Sequence, residues 1–145
     1  MNDFPIIRVV SKFMIPYILL FAMYVQFHGD FGPGGGFQAG VIFASAIILY
    51  GLVYGLQAAK IVAPEWLIEK LIAFGLVLYA GTGFTCLALG GNFLDYDVLD
   101  HHVLTGILPH QQHLGIFVVE LGVGITVTSV MVMIYYAFAS RERTA

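Results

Sequence analysis

Charge is scarce in this chain. Six Lys and Arg and nine Asp and Glu make up 10% of 145 residues, against roughly a quarter in soluble domains. A soluble domain of this size leaves about a third of its unfolded surface in water, and these residues are too few to cover it. A soluble enzyme and a disordered chain are therefore excluded. The net charge of −3 offers no basic field for phosphates, which excludes a nucleic-acid binder. The single cysteine, Cys86, excludes an intramolecular disulfide framework and a cysteine zinc cluster. A nucleophile–base–acid set is also lacking: Ser45, Ser129 and Cys86 fall in apolar stretches without a matching histidine at depth. What is abundant is apolar, at 59%. The composition is that of an integral membrane protein with little mass outside the bilayer.

Crossing a hydrocarbon core of ~30 Å takes ~20 apolar residues in a helix. Four stretches meet that need, at about 6–27, 37–59, 67–89 and 114–139. None alternates with period two, so helices rather than barrel strands are expected. Pro16 lies in the first, where lipid-embedded helices tolerate it. Arg8 and Lys12 could serve a cleaved signal peptide, but His28-Gly29-Asp30 follows instead of a small-residue cleavage site. The expected fold is a single all-α membrane domain over 1–145 with four transmembrane helices.

The basic residues set an expected orientation. Arg8 and Lys12 belong to the start of the first span, Lys60 and Lys70 flank the connection between spans two and three, and Arg141 and Arg143 follow span four. The connections 28–36 and 90–113 contain no Lys or Arg. The positive-inside rule puts both termini and the middle connection in the cytoplasm, and the other two connections outside.

Small residues recur along the spans: Gly36, Gly40, Ala44, Gly51, Gly55 and Ala59 on the second, Gly75, Gly81 and Gly83 on the third, Gly115, Gly122 and Gly124 on the fourth. Such faces let helix backbones approach closely, here mainly for packing within the chain. Thr82 and Thr85 are candidate hydrogen-bonders between helices. No internal repeat or pair of broken helices marks a stand-alone transporter, and the chain reads as a component of a larger assembly.

Glu120 is the one ionisable residue well inside a span, six residues in and about 9 Å below the helix opening at 1.5 Å per residue. An intramembrane carboxylate is expensive and needs a partner or a watery cavity. It is either an ion or proton relay or an interfacial carboxylate bonded to a neighbouring helix. The first outward connection reads His28-Gly29-Asp30-Phe31-Gly32-Pro33-Gly34-Gly35-Gly36-Phe37. It lacks the Lys-Ser/Thr of a phosphate loop, so its glycines point to backbone freedom and close approach. Phe37 is expected to anchor the helix start. In the second connection Asp95, Asp97, Asp100, His101, His102, His110 and His113 invite a metal reading, but no recurring ligand spacing supports it. An interfacial loop packing on partners through Phe93, Tyr96, Leu99 and Leu104 is preferred; a cation-attracting surface is the alternative.

The stretch HGDFGPGGGFQAG, His28 to Gly40, resembles the MnhB family, the B component of Mrp-type (Mnh-type) multisubunit Na+/H+ antiporters. Pro33, Gly34, Gly35, Gly36, Phe37 and Gly40 match the family's loop pattern, and Glu120-Leu121-Gly122-Val123 resembles its last-helix pattern. The resemblance covers nearly the whole chain but not the Asp/His-rich loop. It implies a non-enzymatic subunit of a hetero-oligomer in the bacterial cell membrane, using proton influx to expel sodium, with other antiporter subunits as partners and no cofactor or metal. It also implies that His28, Pro33, the glycines and Phe37 serve structure or coupling, and that Glu120 is a relay candidate. Two alternatives stay open: a homologous subunit of a complex-I-like membrane-bound hydrogenase, and a scaffold with no part in the ion path.

Overall fold

A computed structural model describes residues 5–29, 34–96, 98 and 112–141. Among them the chain is all-helical: α1 Pro5–Phe27, α2 Gly36–Tyr54, α3 Leu56–Val62, α4 Glu65–Ala88 and α5 Gln112–Arg141. Four of these helices, all but α3, are long and apolar enough to cross a membrane. The 23 residues of α1 reach about 35 Å at 1.5 Å per residue, enough for a ~30 Å core. Pro16 is accommodated inside that helix without ending it.

The helices run up, down, up and down, but their order in space is α1, α2, α5, α4. The last helix is inserted between the second and the fourth, packing closely on both. Glycines set the spacing. Gly40 of α2 faces the backbone of Gly124, while Gly75 of α4 and Gly122 of α5 each face the other's carbonyl. A Cβ at Gly40, Gly75 or Gly122 would stand within 3 Å of the opposite helix. Since lipid supplies no hydrophobic drive between helices, such close van der Waals contact is what holds them together. The small-residue faces thus serve internal packing, as their spacing suggests, although Gly81 faces open space. Thr82 and Thr85 donate to carbonyls of their own helix. Thr128 does reach across, its Oγ1 lying 3.1 Å from the Gly40 carbonyl and 2.7 Å from that of Gly124.

One cluster of buried apolar residues lies toward one end. Ala44, Ala59, Ala63, Ile68, Val132 and Tyr136 form the core there. Tyr136 is 1% exposed, and its hydroxyl reaches the carbonyls of Ala59 at 3.1 Å and Ala63 at 2.8 Å. That bond ties α3 to α5. The second apolar stretch, expected to run unbroken to residue 59, ends at Tyr54. Gly55 adopts φ 97°, a conformation that favours glycine, and α3 sets off in a new direction. Arg8, Lys12, Lys60, Lys70 and Arg141 all lie in the half of the bundle that contains this core. There the Tyr54 hydroxyl donates to the Arg8 carbonyl, 3.0 Å away, and Lys60 pairs with Glu65 at 2.7 Å. We refer to this as the basic end and to the opposite one, which carries residues 28, 29, 34 and 35, as the loop end.

Candidate functional site

At the loop end α5 rises about two turns beyond the start of α2. Its first residue is Gln112, so Glu120 lies about 12 Å along the helix at 1.5 Å per residue, level with the first turn of α2. The two are in direct contact. Gly36, the first residue of α2, packs on the Glu120 backbone so closely that a Cβ would collide with its carbonyl oxygen. The Glu120 side chain then lies along the glycines of the connection. A Cβ at Gly35 would stand 2.6 Å from Oε1, and one at Gly29 2.5 Å from Oε2. The carboxylate is half-buried, with α1's exit on one side and α2's entry on the other.

This arrangement follows from the local sequence. Backbone cannot pass this close to a glutamate side chain if the passing residues carry side chains of their own, so the connection is stripped to glycine there. Gly34 takes φ 138°, a conformation that favours glycine, and turns the chain into α2. No acidic residue occupies the first turn of α2. Glu120 of α5 supplies that negative charge from the neighbouring helix, where the N-terminal end of the α2 dipole favours it. One short glycine run therefore gives the carboxylate room and a favourable field at once.

The residues singled out in the sequence take different places. Glu120, Gly34, Gly35 and Gly36 come together at this site, and Gly40 lies one turn farther along α2, against Gly124. His28 stands at its edge, stacked on Tyr24 with ring centroids 5.1 Å apart. It lines a small cavity of about 200 Å³ with Gly29, Gly34 and Gln38. Phe37 departs from expectation: it is 65% exposed, because the α2 face that packs on α5 is the one bearing Gly36 and Gly40. Pro33 lies outside the described residues.

The second connection is described only in part. Phe93 covers Gly83 and meets Phe84 edge-on at 6.3 Å, so this aromatic packs on its own chain. Burial, then the charges of Cys86 and Tyr79, pushes the Tyr96 phenol above its ordinary range. Asp97, Leu99, Asp100, His101, His102, Leu104 and His110 lie outside the described residues, as does the side chain of His113.

Sequence reasoning missed Gln26. It is buried near the end of α1, with its Oε1 against Gly124, one turn along α5 from Glu120. A lone polar residue in the last turn of an apolar helix was the available signal.

Comparison with known proteins identifies the family. Residues 6–133 match a family model described as a domain related to the MnhB subunit of Na+/H+ antiporter. The B subunit of the Na(+)/H(+) antiporter of Alkalihalophilus pseudofirmus is 33% identical over 129 residues, covering 84% of this chain and 88% of that protein. A Staphylococcus haemolyticus protein named as antiporter subunit mnhB2 is 34% identical over 135 residues, covering 92% and 93%. A Staphylococcus aureus protein of the same name is 33% identical over 134 residues, covering 89% of each. With the match spanning both the glycine connection and the helix that carries Glu120, the chain belongs to the MnhB family of multi-pass membrane proteins.

Proposed function

We propose that this chain is a membrane subunit of a multisubunit Na+/H+ antiporter, supporting proton-driven sodium efflux, and that Glu120 is its ion-path residue. The relatives named as antiporter subunits support the first part. The observation that carries the second is the enclosure of the Glu120 carboxylate by Gly29 and Gly35 beside the start of α2. Glu120 oxygens can take up a proton or attract a sodium ion, and each occupant lowers affinity for the other. A carboxylate within a span is costly unless its surroundings favour it, and the α2 dipole lowers that cost. Both termini and the α3–α4 connection are cytoplasmic in this reading, following the basic residues. The glycine connection faces outward, so Glu120 meets ions from the outer side.

The chain acts as a transporter subunit and not as an enzyme. Its partners are other antiporter subunits, and the exposed Phe37 belongs to the surface that meets one of them. Sodium and protons are the transported ions, and lipid surrounds the remaining apolar faces. The test is Glu120→Gln in the complete complex, with assembly verified, measuring sodium affinity and the pH dependence of antiport in membrane vesicles. The proposal expects either the apparent sodium affinity or the pH profile to change. Wild-type behaviour in both, with normal assembly, contradicts the ion-path assignment.

A further inference from the structure

The last two turns of α5 run beside the place where α2 gives way to α3, and a groove of about 650 Å³ opens between them. That volume falls within the ~300–1,000 Å³ of sites that take small molecules. Its walls are apolar: Leu52 of α2, Leu56 of α3 and Phe138 of α5. Phe138 is 70% exposed, so this wall is open to the surroundings of the bundle. Gly51 contributes to the floor, and the Tyr135 ring lies over it: a Cβ at Gly51 would stand 2.7 Å from the Tyr135 hydroxyl oxygen. Arg141, the last residue of α5, is exposed and closes the list of α5 side chains on one end of the groove.

The lining changes from charge to hydrocarbon over a short distance. Tyr135 lies six helical steps before Arg141, about 9 Å at 1.5 Å per residue. A partner helix would ask for contact along much of a ~30 Å core, and this groove offers only a fraction of that. A phospholipid has the same polarity over the same distance: an anionic phosphate, then ester oxygens, then acyl chain. Among the described residues none that lines the groove is acidic. Lys60 touches the same turn of α5 through Ser140 at 3.5 Å, but it is committed to Glu65 at 2.7 Å. The charge presented to the groove is therefore that of Arg141, and in the sequence Glu142, which follows, is offset by Arg143. A guanidinium meets phosphate oxygens through charge-assisted, bidentate hydrogen bonds, and basic pockets beside membrane helices suit anionic headgroups.

We propose that this groove binds an anionic phospholipid, with its phosphate on the Arg141 guanidinium, its ester region beside the Tyr135 hydroxyl and an acyl chain against Leu52, Leu56 and Phe138. A headgroup of net negative charge is preferred to a zwitterionic one, whose ammonium offsets the phosphate. The site lies at the basic end, away from Glu120, and stands whether or not Glu120 meets ions.

Quenching of tryptophan fluorescence by phospholipids brominated on their acyl chains tests this with the full chain in vesicles. The sequence has one tryptophan, Trp66, so Phe138→Trp in a Trp66→Phe background reports on the groove alone. Leu52→Trp, on the facing wall, serves if that variant does not fold. Brominated phosphatidylglycerol is compared with brominated phosphatidylcholine. The proposal expects phosphatidylglycerol to bind at the groove about fivefold more tightly, the effect of one basic residue at a bilayer surface. Arg141→Gln should bring the ratio close to one, and Arg141→Lys should keep most of it. Phe84→Trp, at an exposed position of α4 toward the loop end, should give a ratio near one throughout. A ratio near one at the groove, a preference indifferent to Arg141→Gln, or an equal preference at Phe84→Trp would overturn the proposal. In the assembled complex, a benzophenone photocrosslinker in place of Phe138 should yield phospholipid adducts. Adducts with another subunit alone would also overturn it and give the groove to a partner helix.

Discussion

Gly36 and Gly81 are both helical glycines in apolar spans, yet their surroundings are opposite. A methyl group at Gly36 collides with the Glu120 carbonyl, whereas one at Gly81 meets nothing within 4 Å. Gly36→Ala is therefore expected to destabilise the chain by at least the ~1–3 kcal/mol typical of overpacking, because the obstacle is backbone and cannot rotate away. Gly81→Ala is expected to be neutral or to stabilise by up to about 1 kcal/mol through helix propensity. Thermal unfolding of the purified chain in one detergent compares the two. The sequence displays these glycines alike, since spacing tells which residues share a face but not which face meets another helix. Glu120 was legible as a lone intramembrane carboxylate, and the glycine run as a place of close approach. Their contact was not legible, because 84 residues separate Gly36 from Glu120. Gln26 illustrates the same gap: its type was visible and its burial against α5 was not.

The helices themselves were largely readable, because a membrane span is a long apolar run and little else competes with that pattern. The break at Gly55 was not, since glycine also occurs inside spans at packing faces. Its positive φ, together with open space where a Cβ would stand among the described residues, separates conformation from packing. Gly55→Ala is expected to cost about 1–3 kcal/mol through backbone strain alone. Tyr136 holds the short helix that follows. Tyr136→Phe keeps the ring and removes the hydroxyl that meets two buried carbonyls, a loss expected to cost about 1–3 kcal/mol. Thermal midpoints in detergent should fall for both variants, and the α3 amides should exchange hydrogen faster in Tyr136→Phe. By comparison the partly exposed Lys60–Glu65 pair contributes little, of order 0–1 kcal/mol. At the other end, Tyr96 binds its proton more tightly folded than unfolded, because burial disfavours the phenolate. The sign of linkage follows: any stability from this group is present below the ordinary phenol range and is lost as pH rises through its elevated pKa. An alkaline absorbance titration should place the Tyr96 transition, obtained by subtracting the Tyr96→Phe curve, above the ordinary phenol range.

At the scale of the molecule, α5 is the organising helix. It carries Glu120 at the loop end, Thr128 and Ser129 midway, and Tyr136 at the basic end, and it lies between α2 and α4. α1 is held on one side only, and few residues in its span are buried. Large apolar side chains such as Phe13, Phe21 and Phe37 are left exposed, and in a membrane they face lipid or a partner. Phe37→Ala removes an exposed ring, so the stability of the isolated chain should change by no more than about 0.5 kcal/mol. Recovery of other antiporter subunits with the tagged chain should fall if that ring meets a partner. A common side for the basic residues was readable from their positions along the chain, and the structure collects the five described ones in one half. Contacts with partners were not readable, because an apolar surface looks the same whether it meets lipid or protein.

Above all, the glycine connection is held to exist so that the Glu120 carboxylate sits where ions reach it. Antiport by vesicles containing the assembled complex with Glu120→Gln measures this most directly, because the amide keeps the shape and removes the charge. The predicted result is normal assembly with a weakened apparent sodium affinity or a displaced pH profile. Assembly, sodium affinity and pH dependence all identical to wild type would contradict the claim and leave Glu120 as a packing residue.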